Sequence, residues 1–283
     1  MNHAFVRQVG PARWLARSAL RYVGSRVLGR TMRLRLPTGA LLALPPDNPV
    51  ASEVFVTGAD VDWGAEAILA RFAERDADFF DVGANIGYYT IYLAPLVRRV
   101  VAFEPDPRNL AALQANAAGA GNVVVRREAV SDRSGTGHLS VGASSAVGRL
   151  VAPDGAATIA VATTTIDAVA KALDARPCAI KLDIEGHELA ALAGARETIR
   201  RHQPLILSEF ARPSGGANAP DGLAALLADH GYALFAPMAR ARRRTPVRVM
   251  RLAAARIDDV PTKMLFLVPP RLGADFAALA NEP

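Results

Sequence analysis

The stretch "FFDVGANIGYYT", Phe79 to Thr90, decides the fold. Two phenylalanines, an acid and a valine run into a loop with two glycines four residues apart, and an apolar segment follows. A strand covered on both faces reads as a nearly continuous apolar run. Residues 77–82 are therefore expected to form a central strand, and residues 87–96 a helix leaving the loop.

Outward from this point the pattern repeats. Apolar runs occur at 77–82, 99–104, 122–130, 178–184, 204–210, 232–237 and 263–269. Helix-like stretches separate several of them, at 87–96, 107–119, 187–202 and 221–230. Such alternation specifies an α/β fold with a mostly parallel sheet. No convincing helix separates the last two runs, so they are expected to pair antiparallel at an edge. The runs 137–141 and 158–166 read as an inserted strand pair. Upstream, residues 1–35 have helical character broken at Gly10-Pro11 and Gly24, residues 33–44 suggest a short hairpin, and 63–75 a helix. We divide the chain into a basic N-terminal extension, 1–50, and a main α/β domain, 51–283.

In open α/β sheets the ligand sits beyond the carboxyl ends of the strands. The loop 81–87 lies at such an end. Gly83 is expected to let the chain turn and a ligand approach, and Gly87 to let the helix pack against the strand. Asn85 stands where a dinucleotide loop carries its middle glycine, which argues against a pyrophosphate. A nucleoside with a small amino-acid group fits better. S-adenosyl-L-methionine is such a molecule, its amino group meeting Asp81 and its carboxylate the loop N–H groups. The second strand ends at Glu104, twenty-three residues after Asp81. An acid there can accept both hydroxyls of a ribose. The third run ends E-A-V-S-D, residues 128–132, placing Ala129 against the adenine.

The fourth run ends K-L-D-I-E-G-H-E, residues 181–188. Strand alternation puts Lys181, Asp183 and Glu185 on one face. A hydroxyl acceptor needs a base as its proton leaves, and crowded carboxylates raise each other's pKa. Asp183 is expected nearest the cofactor's reacting end, with Glu185 or His187 as base. Lys181 and Glu209, the latter at the end of the fifth run, are expected to bind the acceptor. Asp183, Glu185 and Glu209 also suit a hard cation, but no spacing demands a metal and none is assigned. Ser144-Ser145 and the Arg212–Asp221 loop are candidate covers of the acceptor.

Taken together, DVGANIGYYT, AFEPDP (102–107), TTID (164–167), KLDIEGHE and PLILSEF (204–210) resemble the FkbM-type methyltransferases over roughly residues 53–268. The resemblance implies a seven-stranded Rossmann-like methyltransferase sheet with S-adenosyl-L-methionine as cofactor. It implies methyl transfer, usually to a hydroxyl of a sugar or secondary metabolite. It assigns the cofactor to Asp81, Gly83, Asn85, Gly87 and Glu104, and places the KLDIEG motif, after the fourth strand, beside the methyl.

Charge and composition set the outer bounds. The chain has 283 residues, net charge +6 and one cysteine, Cys178, so no internal disulfide is available. Eight arginines precede the first acid, Asp47, and seven lie between Arg240 and Arg256 with no acid between them. The rest of the chain is acidic, which argues against a whole-domain nucleic-acid clamp. The N-terminal arginines suit an anionic membrane or an acidic glycan. Without a secretory signal or spanning segment in view, the expected location is cytoplasmic, peripheral at the inner membrane surface. Competing readings are an NAD-dependent oxidoreductase, an RNA or protein methyltransferase using the arginines, and a non-catalytic nucleoside-binding module. The acceptor is expected to be a glycan, a glycolipid or another small molecule.

Overall fold

The computed structural model describes residues 3–140, 148, 150–151, 158–210, 219–239, 246–260, 262 and 264–281. In chain order the first elements are α1 (His3–Val9), α2 (Pro11–Tyr22) and a wider π turn (Val23–Val27). A hairpin follows, β1 (Met32–Arg35) and β2 (Leu41–Leu44), then α3 (Pro49–Thr57) and α4 (Ala65–Arg71). The central region has β3 (Asp78–Val82), α5 (Tyr88–Leu93), β4 (Arg99–Phe103), α6 (Pro107–Ala117) and β5 (Val123–Arg126). Next come β6 (Ala129–Val130), β7 (Gly135–Ser140), β8 (Leu150–Val151), β9 (Thr158–Thr164) and α7 (Ile166–Ala172). The chain then forms β10 (Pro177–Leu182), α8 (Glu188–Ala193), α9 (Arg196–His202), β11 (Leu205–Glu209), α10 (Ala219–His230), β12 (Ala233–Pro237), β13 (Val249–Leu252), β14 (Met264–Val268) and α11 (Gly273–Asn281).

The main sheet runs β13-β12-β14-β11-β10-β3-β4-β5. Strands β11, β10, β3, β4 and β5 are mutually parallel. The last strand, β14, runs antiparallel to both neighbours. It lies between β11 and β12, inside the sheet and not at its edge; β13, absent from the seven expected runs, forms the edge. This Rossmann-like order reverses direction between β3 and β10, and a crevice opens there.

Alternation along β3 sends Phe79 into the core on one face and Phe80 into the core on the other. Both rings are fully buried, and each contributes about 2–3 kcal/mol of hydrophobic stabilisation. The first face also buries Leu42 and Leu44 of the hairpin. Asn116 of α6 locks that hairpin in place: its amide accepts from Ala43 N at 2.8 Å and donates to Ala43 O at 3.0 Å and Ile86 O at 2.8 Å.

Three sequence expectations change. The run 122–130 is two strands, because β6 leaves the main sheet to pair with β9. The inserted pair is part of a four-stranded sheet, β6-β9-β7-β8. Helices α3, α7 and α11 were not legible as helices. Ser144-Ser145, most of the Arg212–Asp221 loop and arginines 240–244 lie outside the described residues.

Candidate active site

The crevice at the reversal is a cavity of about 510 Å³. Its wall includes Gly83, Ala84, Asn85, Glu104, Ala129, Lys181, Asp183, Glu185, His187 and Glu209. These come from the ends of five strands that the sequence alone keeps far apart. Asp81 and Gly87, also expected at the cofactor, do not reach this wall.

The loop after β3 is built around close backbone approach. Gly83 has φ 76°, and a Cβ there would lie 2.0 Å from the Asp183 carbonyl oxygen. The close approach of the segment after β10 requires the glycine. Gly87, at φ 87°, faces Leu113 of α6 and not the strand. Asn85 sits at φ 51°, a left-handed conformation that asparagine tolerates. Its side chain accepts from Asn48 Nδ2 at 3.0 Å and from Ile86 N at 2.9 Å.

The loop N–H groups are already engaged. Gly83 N and Ala84 N donate to Phe103 O, Asn85 N to Glu104 Oε2, Ile86 N to Asn85 Oδ1, and Gly87 N to Ala84 O. The expectation that they hold a ligand carboxylate is therefore corrected. The strand ladder and Glu104 consume the donors that a longer phosphate loop would leave free.

Asp81, expected at the cofactor's amino group, lies off the cavity wall. It is fully buried behind the loop, accepting from Thr90 Oγ1 at 2.6 Å. Its Oδ1 accepts no hydrogen bond and faces Lys181 Nζ at 3.7 Å. Register explains the pair, since Lys181 lies directly opposite Asp81 across β10 and β3. Lys181 donates to Gly83 O at 2.7 Å and pairs with Asp183 at 3.4 Å. Burial opposes its charge, but Asp183 and Asp81 outweigh burial and raise its pKa. The lysine thus ties the glycine loop to the end of β10.

Glu104 forms the cavity floor. Its carboxylate accepts from Asn85 N at 2.7 Å and Asp106 N at 2.9 Å. A carboxylate has about four acceptor positions, so two remain for a ribose diol. Burial raises its pKa to about 7. Ala129, Val130, Leu139 and Phe103 line the wall with apolar surface suited to an adenine face.

At the other end, Asp183, Glu185 and Glu209 bring one carboxylate oxygen each within 4.8 Å of one another. That spacing suits a cluster of hydroxyl donors, or a hard cation. The strand stops at Leu182, so the expected alternation does not extend to Glu185. Glu185 instead takes φ 56°, and Glu188 steadies the turn by accepting from Ile184 N and Gly186 N. His187 turns elsewhere: Nε2 lies 2.9 Å from Ser131 Oγ, just past β6, at the nucleoside end. Burial lowers its pKa, so it is neutral near pH 7.

Sequence reading missed a second polar group on the wall, Asp62, Tyr88 and Tyr89, with Glu66 behind them. Tyr89 Oη donates to Asp62 at 2.6 Å and Tyr88 Oη to Glu66 at 2.9 Å. Burial raises Asp62 to about 6 and Glu66 to about 8. The paired tyrosines directly after Gly87 were the available signal. Among the described wall residues, acids far outnumber Lys181 and His187. The resulting negative field suits a sulfonium cation, and the Glu104 floor suits its ribose, so the residues present fit S-adenosyl-L-methionine.

A family model described as the methyltransferase FkbM domain matches residues 81–234. Hexuronic acid methyltransferase AglP of Haloferax volcanii is 32% identical over 136 residues, covering 47% of this chain and 56% of that relative. The chain thus matches little more than half the length of the curated relative. A methyltransferase FkbM from Methylobacillus flagellatus superposes with TM-score 0.46 at 19% identity, over 76% of this chain and 65% of that one. The Pyrococcus abyssi tRNA (uracil-54, C5)-methyltransferase, in complex with S-adenosyl-L-homocysteine, gives TM-score 0.42 at 14% identity, over 84% and 43%.

Proposed function

The chain belongs to the methyltransferase FkbM family, and on that premise we propose that it methylates a hydroxyl oxygen of a sugar, using S-adenosyl-L-methionine. One observation carries the reading. A single cavity has a ribose-type acceptor, Glu104, at one end and the Asp183, Glu185 and Glu209 carboxylates at the other. The hexuronic acid named for the 32% identical relative supports a sugar acceptor.

When bound, S-adenosyl-L-methionine supplies an electrophilic methyl carbon. The rest falls to this chain's own side chains. Glu104 orients the ribose. The three carboxylates accept hydrogen bonds from acceptor hydroxyls and fix one oxygen in line, which is the main source of rate in such a displacement. Glu185, a carboxylate on the cavity wall within 4.8 Å of Asp183 and Glu209, takes the hydroxyl proton. Lys181, Asp81 and Thr90 act as positioning residues beneath the loop. The acidic wall disfavours an acceptor carboxylate near the cluster, so recognition there is of hydroxyls.

The test is incubation with S-adenosyl-L-methionine and a panel of hexosides and hexuronosides, read by mass spectrometry and NMR. A methyl ether on a ring hydroxyl is the expected product. A methyl on nitrogen or carbon, or binding of NAD in place of S-adenosyl-L-homocysteine, overturns the reading.

A further inference from the structure

We propose that this protein docks on an anionic lipid bilayer through the outward face of α2 and the turn that follows it. The helix is turned inside out. In an ordinary surface helix the charged residues face water and the apolar stripe faces the core. Here Arg17 and Arg21 point inward. Arg17 donates to Phe55 O, and Arg21, almost fully buried, donates to Leu44 O at 3.2 Å, to Pro45 O and to Ser52 Oγ at 3.2 Å.

The opposite face therefore carries the apolar residues. Leu15, Leu20, Tyr22, Val23, Val27 and Leu28 are 46–64% exposed. Residues 15, 19 and 22, and 16, 20 and 23, follow helical spacing, so these side chains form one continuous surface. Single exposed hydrophobes are ordinary, but a contiguous set marks an interaction surface.

Charge identifies the partner. Arg13, Arg26 and Arg30 are exposed on the same segment as the patch. The first acid of the chain, Asp47, is their only near counter-charge in sequence; it meets Arg26 at 3.5 Å with both side chains largely in solvent. An apolar face rimmed by cations repels a second copy of itself and matches an anionic headgroup layer with an apolar interior. The face is held rigidly, because the Arg17 and Arg21 bonds fix α2 to α3. Helix α3 in turn contributes Val50 and Glu53 to the cavity wall. Docking would set the cavity one helix away from the lipid surface. This inference does not depend on the identity of the methyl acceptor.

The test is co-sedimentation of the full chain with phosphatidylglycerol–phosphatidylcholine vesicles and with pure phosphatidylcholine. Adsorption is expected only to the anionic vesicles, weakening as salt rises. The combined variant Leu15→Ser, Leu20→Ser, Val27→Ser removes exposed side chains, so its thermal midpoint should match the parent. Its adsorption should fall by about tenfold or more. The pair Arg13→Glu, Arg26→Glu should lose adsorption as well. Equal adsorption of the serine variant, or none by the parent, overturns the proposal. So does a dimer, seen by sedimentation without vesicles, that the serine variant converts to monomer.

Discussion

Replacing Glu104 by glutamine removes one charge from the cavity floor while keeping the side chain's volume. The residue is 5% exposed, and its carboxylate already accepts two backbone N–H groups. A ribose diol would add two charge-assisted hydrogen bonds. Such bonds contribute about 1.5–3 kcal/mol each, against roughly 0.5–1.5 kcal/mol with a neutral acceptor. The net loss on substitution is about 2 kcal/mol, or roughly thirtyfold in Kd for S-adenosyl-L-homocysteine. The raised pKa adds a second signature. Only the ionised form accepts both hydroxyls, and burial sets the pKa near 7. The parent protein should therefore bind about tenfold more weakly at pH 6 than at pH 8 and release a proton on binding. The variant should show neither effect. Calorimetry in buffers of different ionisation enthalpy measures both. Parent-like affinity in a folded Glu104→Gln protein, or a pH dependence that survives the substitution, refutes the assignment.

Glu185→Gln should lower kcat by about 10²–10⁴ with the Kd for S-adenosyl-L-homocysteine unchanged, whereas His187→Ala should weaken cofactor binding and leave most of kcat; single-turnover assays separate the two. Gly83→Ala forces a Cβ to within 2.0 Å of a backbone carbonyl at positive φ, so chemical denaturation should show a loss of at least about 2 kcal/mol. Gly119→Ala, with open space around it, should be close to neutral. Glu66, pushed up to about 8 by burial and then by Asp62 and Asp60, holds a proton in the folded state that it loses when unfolded. Stability should therefore fall as pH rises from the unfolded value of 4.5 toward 8, by up to a few kcal/mol, and Glu66→Gln should flatten that slope in urea titrations at stepped pH.

Local pattern carried a large part of this molecule. Continuous apolar runs can satisfy only a strand covered on both faces, so β3, β4, β10 and β11 were legible from composition and length. The left-handed turn before α5 was legible because Gly83 and Gly87 are cheap where φ is positive. Glu104 was placed by counting residues from the loop to the next strand end. Distance in space, unlike distance along the chain, has no local signature. That Gly83 is needed for the carbonyl of Asp183, a hundred residues away, depends on how two strand ends cross. That Lys181 faces Asp81 depends on parallel register, which places partners opposite one another only once β10 chooses β3. The loop N–H groups looked free because their acceptors, Phe103 O and the Glu104 carboxylate, arrive from the neighbouring strand. The eight N-terminal arginines were visible at once, but only packing against α3 turned two of them inward and left the leucines of α2 facing out. The sequence determined the central strands, several of the helices and the glycine turn, because those choices depend on near neighbours. The tertiary structure alone decided which side chains meet in the cavity and which face water, because those follow from the order and register of strands distant in the chain.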